Sequence, residues 1–370
     1  MLRPRRIVVV GLSISSSWGN THASTYRSVL GAMARRGHDV LFLERDLPWY
    51  AAHRDLGEWD SVRVGFYGSL HDLRSQYLTA VRAADVVIVG SNVPEGSDVL
   101  DWVGRNALGV LMFYDIDAPL TVARLEAGEP CEYLRRDQLT RLDTVLSFAA
   151  GPALDRIELL GAPRARALCG SIDRAVHQPV LGAPRWDLGY LGDYAASRQP
   201  ALERLLLDVA RKRPAQRFVV AGPLYPDTVA WPANVDRVGH LPACSHADFY
   251  GSQRFTLDLS GADGRRPKQA PGMRLFEAAA CGTAVISDAS QDLDEFFEPY
   301  VEMLPARTAR DVEPYLDLTD GERRTIGQRA RERVLAAHTS EHRALELEAY
   351  VAEAMGTQQL ARARMATSPR

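Results

Sequence analysis

The sequence predicts an α/β protein built from two Rossmann-like, doubly wound domains facing across a cleft. Three observations predict it. The chain has 370 residues, long enough for two domains. Short β-branched runs alternate with helical periods through most of it. A stretch dense in Gly and Pro, Gly170–Arg185, punctuates the middle as an interdomain linker. The expected organisation is one domain over 1–172 and a second over 173–338. A C-terminal helix over 339–357 packs back toward the first domain, and a polar, flexible tail covers 358–370.

Composition narrows the function. The 46% hydrophobic and 25% charged fractions are those of an ordinary soluble protein. A formal charge of −3 exerts no global pull toward nucleic acid or anionic membrane. Arg3, Arg5 and Arg6 lead into Ile7–Val10, an apolar run too short for a signal peptide. No stretch is long and apolar enough to span a bilayer. Cys131, Cys169, Cys244 and Cys281 are scattered without metal-ligand or disulfide spacing. A cytoplasmic protein without a metal is the expectation.

The first half reads as repeated strand and helix. Ile7–Val10 is a buried strand, and the loop behind it is small and polar as far as Asn20. A helix follows over Thr21–Arg36, with Tyr26, Val29, Leu30 and Met33 on its inner face. Gly37 ends it and Val40–Leu43 is the next strand, which completes a right-handed βαβ unit. Strands at Val62–Gly65, Asp85–Val89, Val110–Phe113 and Thr144–Ser147 then alternate with helices at Leu70–Ala83, Val99–Arg105, Leu134–Leu142 and Gly151–Leu160. Loops at the carboxyl ends of parallel strands form ligand crevices. Asp115 and Asp117 stand at one such end, on one side of the chain if strand geometry persists. Asp117 equally suits the cap of a helix beginning Asp117-Ala118-Pro119.

The second half repeats the pattern. Strands fall at Leu188–Leu191, Phe218–Ala221, Val235–Val238 and Phe255–Leu259, with helices at Pro200–Arg211 and Ser245–Gly251. After Val301–Leu304 the chain is helical, with Glu341–Met355 long and amphipathic. The chemistry concentrates in Pro271–Asp288. Pro271 and Gly272 break the chain, a two-turn helix follows, Gly282 stops it, and Ala284–Ile286 is a buried strand. The helix start offers the amides of Met273, Arg274 and Leu275 beside the Arg274 guanidinium, which suits a diphosphate. Glu277, one turn on, can accept hydrogen bonds from two vicinal hydroxyls such as those of a ribose. A solvated Glu on an amphipathic helix accounts for the same spacing.

In this order the residues resemble the glycosyltransferases of the GT-B architecture, and within them the retaining group. The echoes are Gly19-Asn20 with Arg36–Val40, Leu146-Ser147 with Leu160-Gly161, Gly170–Asp173 with Pro179, Leu191-Gly192 with Arg198, and Leu275–Thr283. The fuller resemblance is to the CgeB-like, spore-protein-type group, over Ser15–Tyr26, Phe42–Tyr50, Tyr114–Thr121, Gln199–Leu207 and Phe276–Asp288. It runs through the chain up to the tail, and the weight lies in the order of motifs that are weak singly. Two positions depart from the retaining pattern. Gln269 stands where it carries a carboxylate, and Asp193 stands where it carries Arg after the loop glycine.

The resemblance implies transfer of a sugar from a nucleotide-diphosphate donor, a co-substrate rather than a cofactor, to a small-molecule or glycan acceptor without a metal ion. Nucleic acid is not an expected partner; a homodimer is compatible. Arg198, Lys268, Gly272, Met273, Arg274 and Glu277 would hold the donor, with Arg265 and Arg266 as further phosphate partners and Gly222 near the base. Gly19 and Asn20 would approach its phosphates. Trp18, Trp49 and Asp115 fall on the acceptor side. Asp117 and His22 are the catalytic candidates: an inverting course needs one as base, whereas in a retaining course a donor phosphate oxygen serves and Asp117 positions the acceptor. Two other readings share the architecture, a nucleotide-sugar 2-epimerase and a non-catalytic nucleotide-sugar-binding coat or assembly protein.

Overall fold

The computed structural model describes residues 3–57, 59–259, 272–288, 293–294 and 296–367. Lys268 and Gln269, with Arg265, Arg266 and Pro271, lie outside the described residues. The chain divides into two compact units, residues 1–17, 22–169 and 341–370 in the first, and 18–21 with 170–340 in the second.

The first unit runs β1 (Arg6–Gly11), α1 (His22–Arg35), β2 (Asp39–Arg45), α2 (Pro48–Ala51), β3 (Arg63–Tyr67), α3 (Leu70–Ala83), β4 (Val86–Gly90), α4 (Gly96–Asn106), β5 (Val110–Asp115), α5 (Ala118–Ala127), β6 (Thr144–Ser147), α6 (Pro152–Leu159) and β7 (Ala165–Ala167). All seven strands are parallel, in the order β3-β2-β1-β4-β5-β6-β7. Side chains alternate across a pleated strand. Val8, Val10, Val87, Val89, Leu111 and Phe113 therefore enter one core layer. Ile7, Val9, Val86, Ile88, Val110 and Met112 enter the other. Burial on both faces explains why these strands read as continuous apolar runs.

The second unit runs β8 (Trp186–Leu191), α7 (Gln199–Leu202), α8 (Asp208–Lys212), β9 (Phe218–Ala221), β10 (Val235–Val238), α9 (His246–Gly251), β11 (Gln253–Asp258), α10 (Met273–Ala280), β12 (Ala284–Ser287), β13 (Leu304–Pro305), α11 (Ala309–Leu316) and α12 (Asp320–Ala337). Its six parallel strands are ordered β10-β9-β8-β11-β12-β13. Gly282, at φ +73°, is the left-handed stop after α10. In each sheet the strand order reverses once, between β1 and β4 and between β8 and β11. At such a reversal neighbouring crossovers leave on opposite faces, so the carboxyl ends of those strands open a crevice.

The last helix, α13 (Ser340–Thr367), joins the first unit's core through Ala344, Leu347, Val351 and Ala354. That spacing makes one apolar stripe. Glu348, also buried, accepts two hydrogen bonds from Arg36 (2.6 and 2.8 Å) and one from His38 (3.0 Å). The tail expected at 358–370 is helical as far as Thr367. Its polar side chains find partners invisible to pattern reading: Gln358 donates to Asp143 (2.9 Å) and Arg362 to the Leu108 carbonyl (3.2 Å).

Three other elements differ from expectation. Leu134–Leu142 is a 3₁₀ turn over Arg136–Arg141 rather than an α-helix, with Gln138 turned inward to the Ser97 carbonyl. The helix expected over Pro200–Arg211 contains a π turn over Glu203–Leu207, which keeps Leu205, Leu206 and Leu207 all buried. Strand β7, Ala-Arg-Ala, carries no β-propensity signal and is fixed by its pairing with β6.

Candidate functional site

In the first unit the loop after β1 is pinned by Glu44, at the end of β2. Its buried carboxylate accepts from the amides of Ile14 (2.7 Å) and Ser15 (2.9 Å) and the hydroxyls of Ser13 (3.1 Å) and Ser15 (2.7 Å). Asp55 holds the next turn, accepting from the Ser17 amide (3.1 Å) and hydroxyl and from Arg27 (2.6 Å). Neither acid stands out in the sequence; the one signal is a carboxylate closing the apolar run Leu41–Leu43.

That loop delivers His22 to the start of α1. Its Nε2 lies 3.1 Å from Asp117 Oδ2, while its Nδ1 is buried without a hydrogen-bond partner among the described residues. Asp117 caps α5 by position but makes no side-chain cap bond, so its carboxylate is free for His22. Asn92 donates to the same Oδ2 (2.6 Å), and Ser91 lies 3.4 Å from it. Asn92 sits at φ +59°, a left-handed conformation that Asn tolerates better than most residues. Burial by itself would raise the Asp117 pKa, but the hydrogen bond and charge of His22, with Ser91, hold it below the ordinary carboxylate range. An Nε2–H donated to this carboxylate leaves Nδ1 as the basic nitrogen.

Asp115 does not share that side. Strand β5 ends at Asp115, so the pleat does not carry through to Asp117. The Asp115 side chain is enclosed, 2% exposed, and accepts from the Thr121 hydroxyl (3.0 Å) and the Asp117 amide (3.1 Å). Its position is behind Asp117 rather than beside it. Burial, and secondarily the Asp117 charge, push its pKa up to about 7 against opposing hydrogen bonds. A folded-state pKa above the unfolded value gives stability that is present at low pH and lost as pH rises through about 7. The native chain should therefore lose about 2–3 kcal/mol relative to Asp115→Asn between about pH 5 and pH 8, read by chemical unfolding at each pH. A pH-independent difference would refute the burial account.

Trp49, half exposed on α2, packs edge-on to the buried Tyr50. Trp18, Gly19 and Asn20 fall in the segment grouped with the second unit. There Gly19 takes φ +62° and Asn20 donates to the Trp18 carbonyl (3.2 Å).

In the second unit, two arginines converge on the loop after β8. Arg274, from α10, donates to the Leu191 carbonyl (2.7 Å) and pairs with Asp193 (3.4 Å). Arg198 donates to the Asp193 carbonyl (3.0 Å), and its Nε is buried with no partner among the described residues. The carboxylate at position 193, a departure from the resembled pattern, is thus offset by an arginine 81 residues later. The other nearby acid, Asp258, has its pKa pushed up to about 7 by burial and by Asp288, against Ser287 and the two arginines. Arg274 meets the Asp193 side chain and Arg198 its backbone carbonyl, so this loop gathers two guanidiniums against one acidic side chain. Gly222 follows β9 at φ +141°; a Cβ there would stand 2.1 Å from the Gly192 carbonyl oxygen, so only glycine lets this loop lie against the one after β8.

Of the three amides expected to be free at the start of α10, Leu275 N–H closes the first turn on the Gly272 carbonyl (3.1 Å); Met273 and Arg274 have no backbone acceptor among the described residues. Glu277 is not solvated: at 1% exposure its Oε2 accepts from His246 Nδ1 (2.9 Å), with the Tyr250 hydroxyl 3.5 Å away. Oε1 has His177 Nε2 at 3.7 Å, beyond hydrogen-bond length. Burial opposes its ionisation, but His246 above all, then His177 and Arg274, bring its pKa down to about 2. These three residues are spread over a hundred positions, so no local motif in the sequence marks them as a cluster. Among the described residues no His/Cys/Asp/Glu group is arranged to hold a metal ion, and no helix is long and apolar enough to cross a membrane.

The chain has the fold of the GT-B glycosyltransferases, two parallel-sheet α/β units of seven and six strands. Residues 198–349 match a family described as glycosyl transferase-like. No curated protein matches the chain. Among solved structures it is similar to an alpha-glucosyltransferase in complex with UDP-glucose and DNA containing an abasic site (13% identity, 95% of this chain, 100% of the other, TM-score 0.70). It is also similar to HepE of Anabaena in complex with UDP and glucose (12%, 94% and 100%, 0.69). A third is sucrose-phosphate synthase from Thermosynechococcus elongatus (17%, 98% and 100%, 0.64).

Proposed function

We propose that the chain is a metal-independent glycosyltransferase that moves a sugar from a nucleotide-diphosphate donor to a hydroxyl of a small-molecule or glycan acceptor. The observation that carries this reading is the pair Arg198 and Arg274 at the loop after β8, inside the segment that matches the glycosyl transferase-like family. Guanidinium forks suit diphosphate oxygens, and the α10 amides of Met273 and Arg274 add to them. Their charge would stabilise the departing nucleoside diphosphate, the work a divalent ion does elsewhere. Glu277 would take the ribose through Oε1, the oxygen without a hydrogen bond among the described residues, while His246 fixes the other. A UDP-sugar is the first donor to try, since two of the similar structures carry UDP or UDP-glucose.

In the first unit His22 would be the base. The acceptor O–H proton passes to Nδ1, the oxygen attacks the anomeric carbon, and the bond to the diphosphate breaks with inversion. Asp117 would hold the imidazole and offset the charge it gains. Gln269, in place of a carboxylate of the retaining pattern, accords with this course. Placement in the CgeB-like group rests on the five resembling segments.

The test is thermal-shift screening of the native chain and Glu277→Gln against UDP-, dTDP- and GDP-sugars. One of them should raise the native Tm and fail to raise that of Glu277→Gln, and transfer should persist in EDTA. If no nucleotide sugar stabilises the native chain, the reading fails. The buried His177, Glu277 and His246 set supplies the acid and base groups a nucleotide-sugar 2-epimerase needs, and favours that as the second reading. Release of an epimerised sugar without acceptor would favour it.

A further inference from the structure

At the amino ends of β1, β4 and β5, the end of the first unit's sheet opposite to His22 and Asp117, two cavities adjoin. Their volumes are about 500 and 310 Å³, and both are lined by Arg6, Asp85, Met355 and Gln359. Arg3 and Arg5 complete one; Arg82, Leu108 and Arg362 line the other. Five guanidiniums therefore surround one carboxylate. Among the described residues none of the five is in an ion pair, whereas Arg27, Arg36, Arg135, Arg156 and Arg166 in the same unit all meet acids. Their partners are neutral: Arg82 reaches the Asn106 amide oxygen (3.4 Å), Arg362 the Leu108 carbonyl (3.2 Å), and Arg5 the Met355 sulfur. The Nε of Arg5 is buried without a partner among the described residues. Asp85 is itself occupied, accepting from the Arg6 amide (2.7 Å).

In a chain of net charge −3, five arginines at one place with no ion pair among the described residues constitute a local field. We propose that this groove binds phosphate oxyanions. Guanidinium forks match phosphate geometry. Two adjoining cavities with arginines at both ends exceed what one phosphate fills and fit two phosphate groups. The exposed Leu108 and Leu360 beside it (70% and 65%) are apolar tips of the kind that enter an acyl boundary when the phosphates are lipid headgroups. The proposal is independent of the donor-site reading and uses none of its residues.

The experiment takes the full chain, a double charge reversal, Arg6→Glu with Arg362→Glu, and a control reversal at the exposed Arg329 of the second unit. One arm is co-sedimentation with phosphatidylcholine vesicles containing about one-third phosphatidylglycerol; the other is calorimetric titration with inorganic pyrophosphate. The native chain and the Arg329→Glu control should bind in at least one arm, and the double variant should bind roughly tenfold more weakly or worse. Vesicle binding alone identifies lipid headgroups as the source; pyrophosphate binding alone identifies a soluble diphosphate. Arg198→Ala retains the pyrophosphate signal if it arises in this groove and loses it if it arises at the β8 loop. Far-ultraviolet circular dichroism confirms that the double variant is folded. No binding in either arm, or equal binding by the double variant and the control, overturns the proposal.

Discussion

Replacing His22 by Ala should lower the rate of sugar transfer by roughly 10²–10⁴-fold, the range expected for loss of a positioned general base. Donor binding, read by nucleotide-induced thermal shift, should stay within about twofold on the same ground, because no donor group is assigned to this imidazole. The expectation rests on one asymmetry: Nε2 is held 3.1 Å from a carboxylate kept ionised, and Nδ1 is buried with no partner among the described residues. An unpartnered buried nitrogen has a cost that a purely structural histidine would avoid. The substitution should not unfold the chain, since Asp117 keeps Asn92 and Ser91. Asp117→Asn should fall between native and His22→Ala, because the imidazole remains but loses the partner that sets its tautomer. Transfer by His22→Ala within about threefold of native would remove His22 as base and point to a retaining course, in which the donor supplies the base itself.

Arg198→Ala should lower kcat by roughly 10²–10³-fold, the cost of removing one preorganised donor from a developing charge. It should also weaken binding of nucleoside diphosphate while leaving free nucleoside binding unchanged, since only the former carries the charge that Arg198 would meet. Arg198 is the cleaner of the two arginines to test. Arg274, with 23% of its side chain exposed, braces the Leu191 carbonyl and Asp193, so its loss takes a partner from a half-buried carboxylate and unsettles the loop as well as the ligand. Equal loss of nucleoside and nucleoside diphosphate binding in Arg198→Ala would mean that it shapes the loop rather than neutralises phosphate.

The central strands of both sheets, unlike β7, were legible because burial on two faces demands continuous β-branched runs, as at Ile7–Val10 and Val86–Val89. The α10 helix was legible from its punctuation, Gly272 before and Gly282 after, and its glutamate stood at a readable distance from the start. The partners were not. Glu44, Asn92, His177 and His246 are single polar residues with no periodicity or motif, and each gains its place from a contact far along the chain. For Asp115 and Asp117 the sequence left both strand alternation and a helix cap open, and a local reason decides between them. The alternation that would align them ends with β5, and the second carboxylate belongs to a helix start.

Two doubly wound halves, their strands, and a phosphate-suited helix start follow from local preferences: β-branching, glycine stops and apolar periodicity act within a few residues and survive in any context. Which loops meet is a property of strand order. The reversal between β1 and β4 brings His22 to Asp117, and the reversal between β8 and β11 brings Arg274 to Asp193. Strand order depends on which crossovers pack on which face, a choice made by contacts distant in sequence. The same holds for charge. Glu277 near 2 and Asp115 near 7 are both buried carboxylates, and only their three-dimensional neighbours, imidazoles for one and an acid for the other, set them apart.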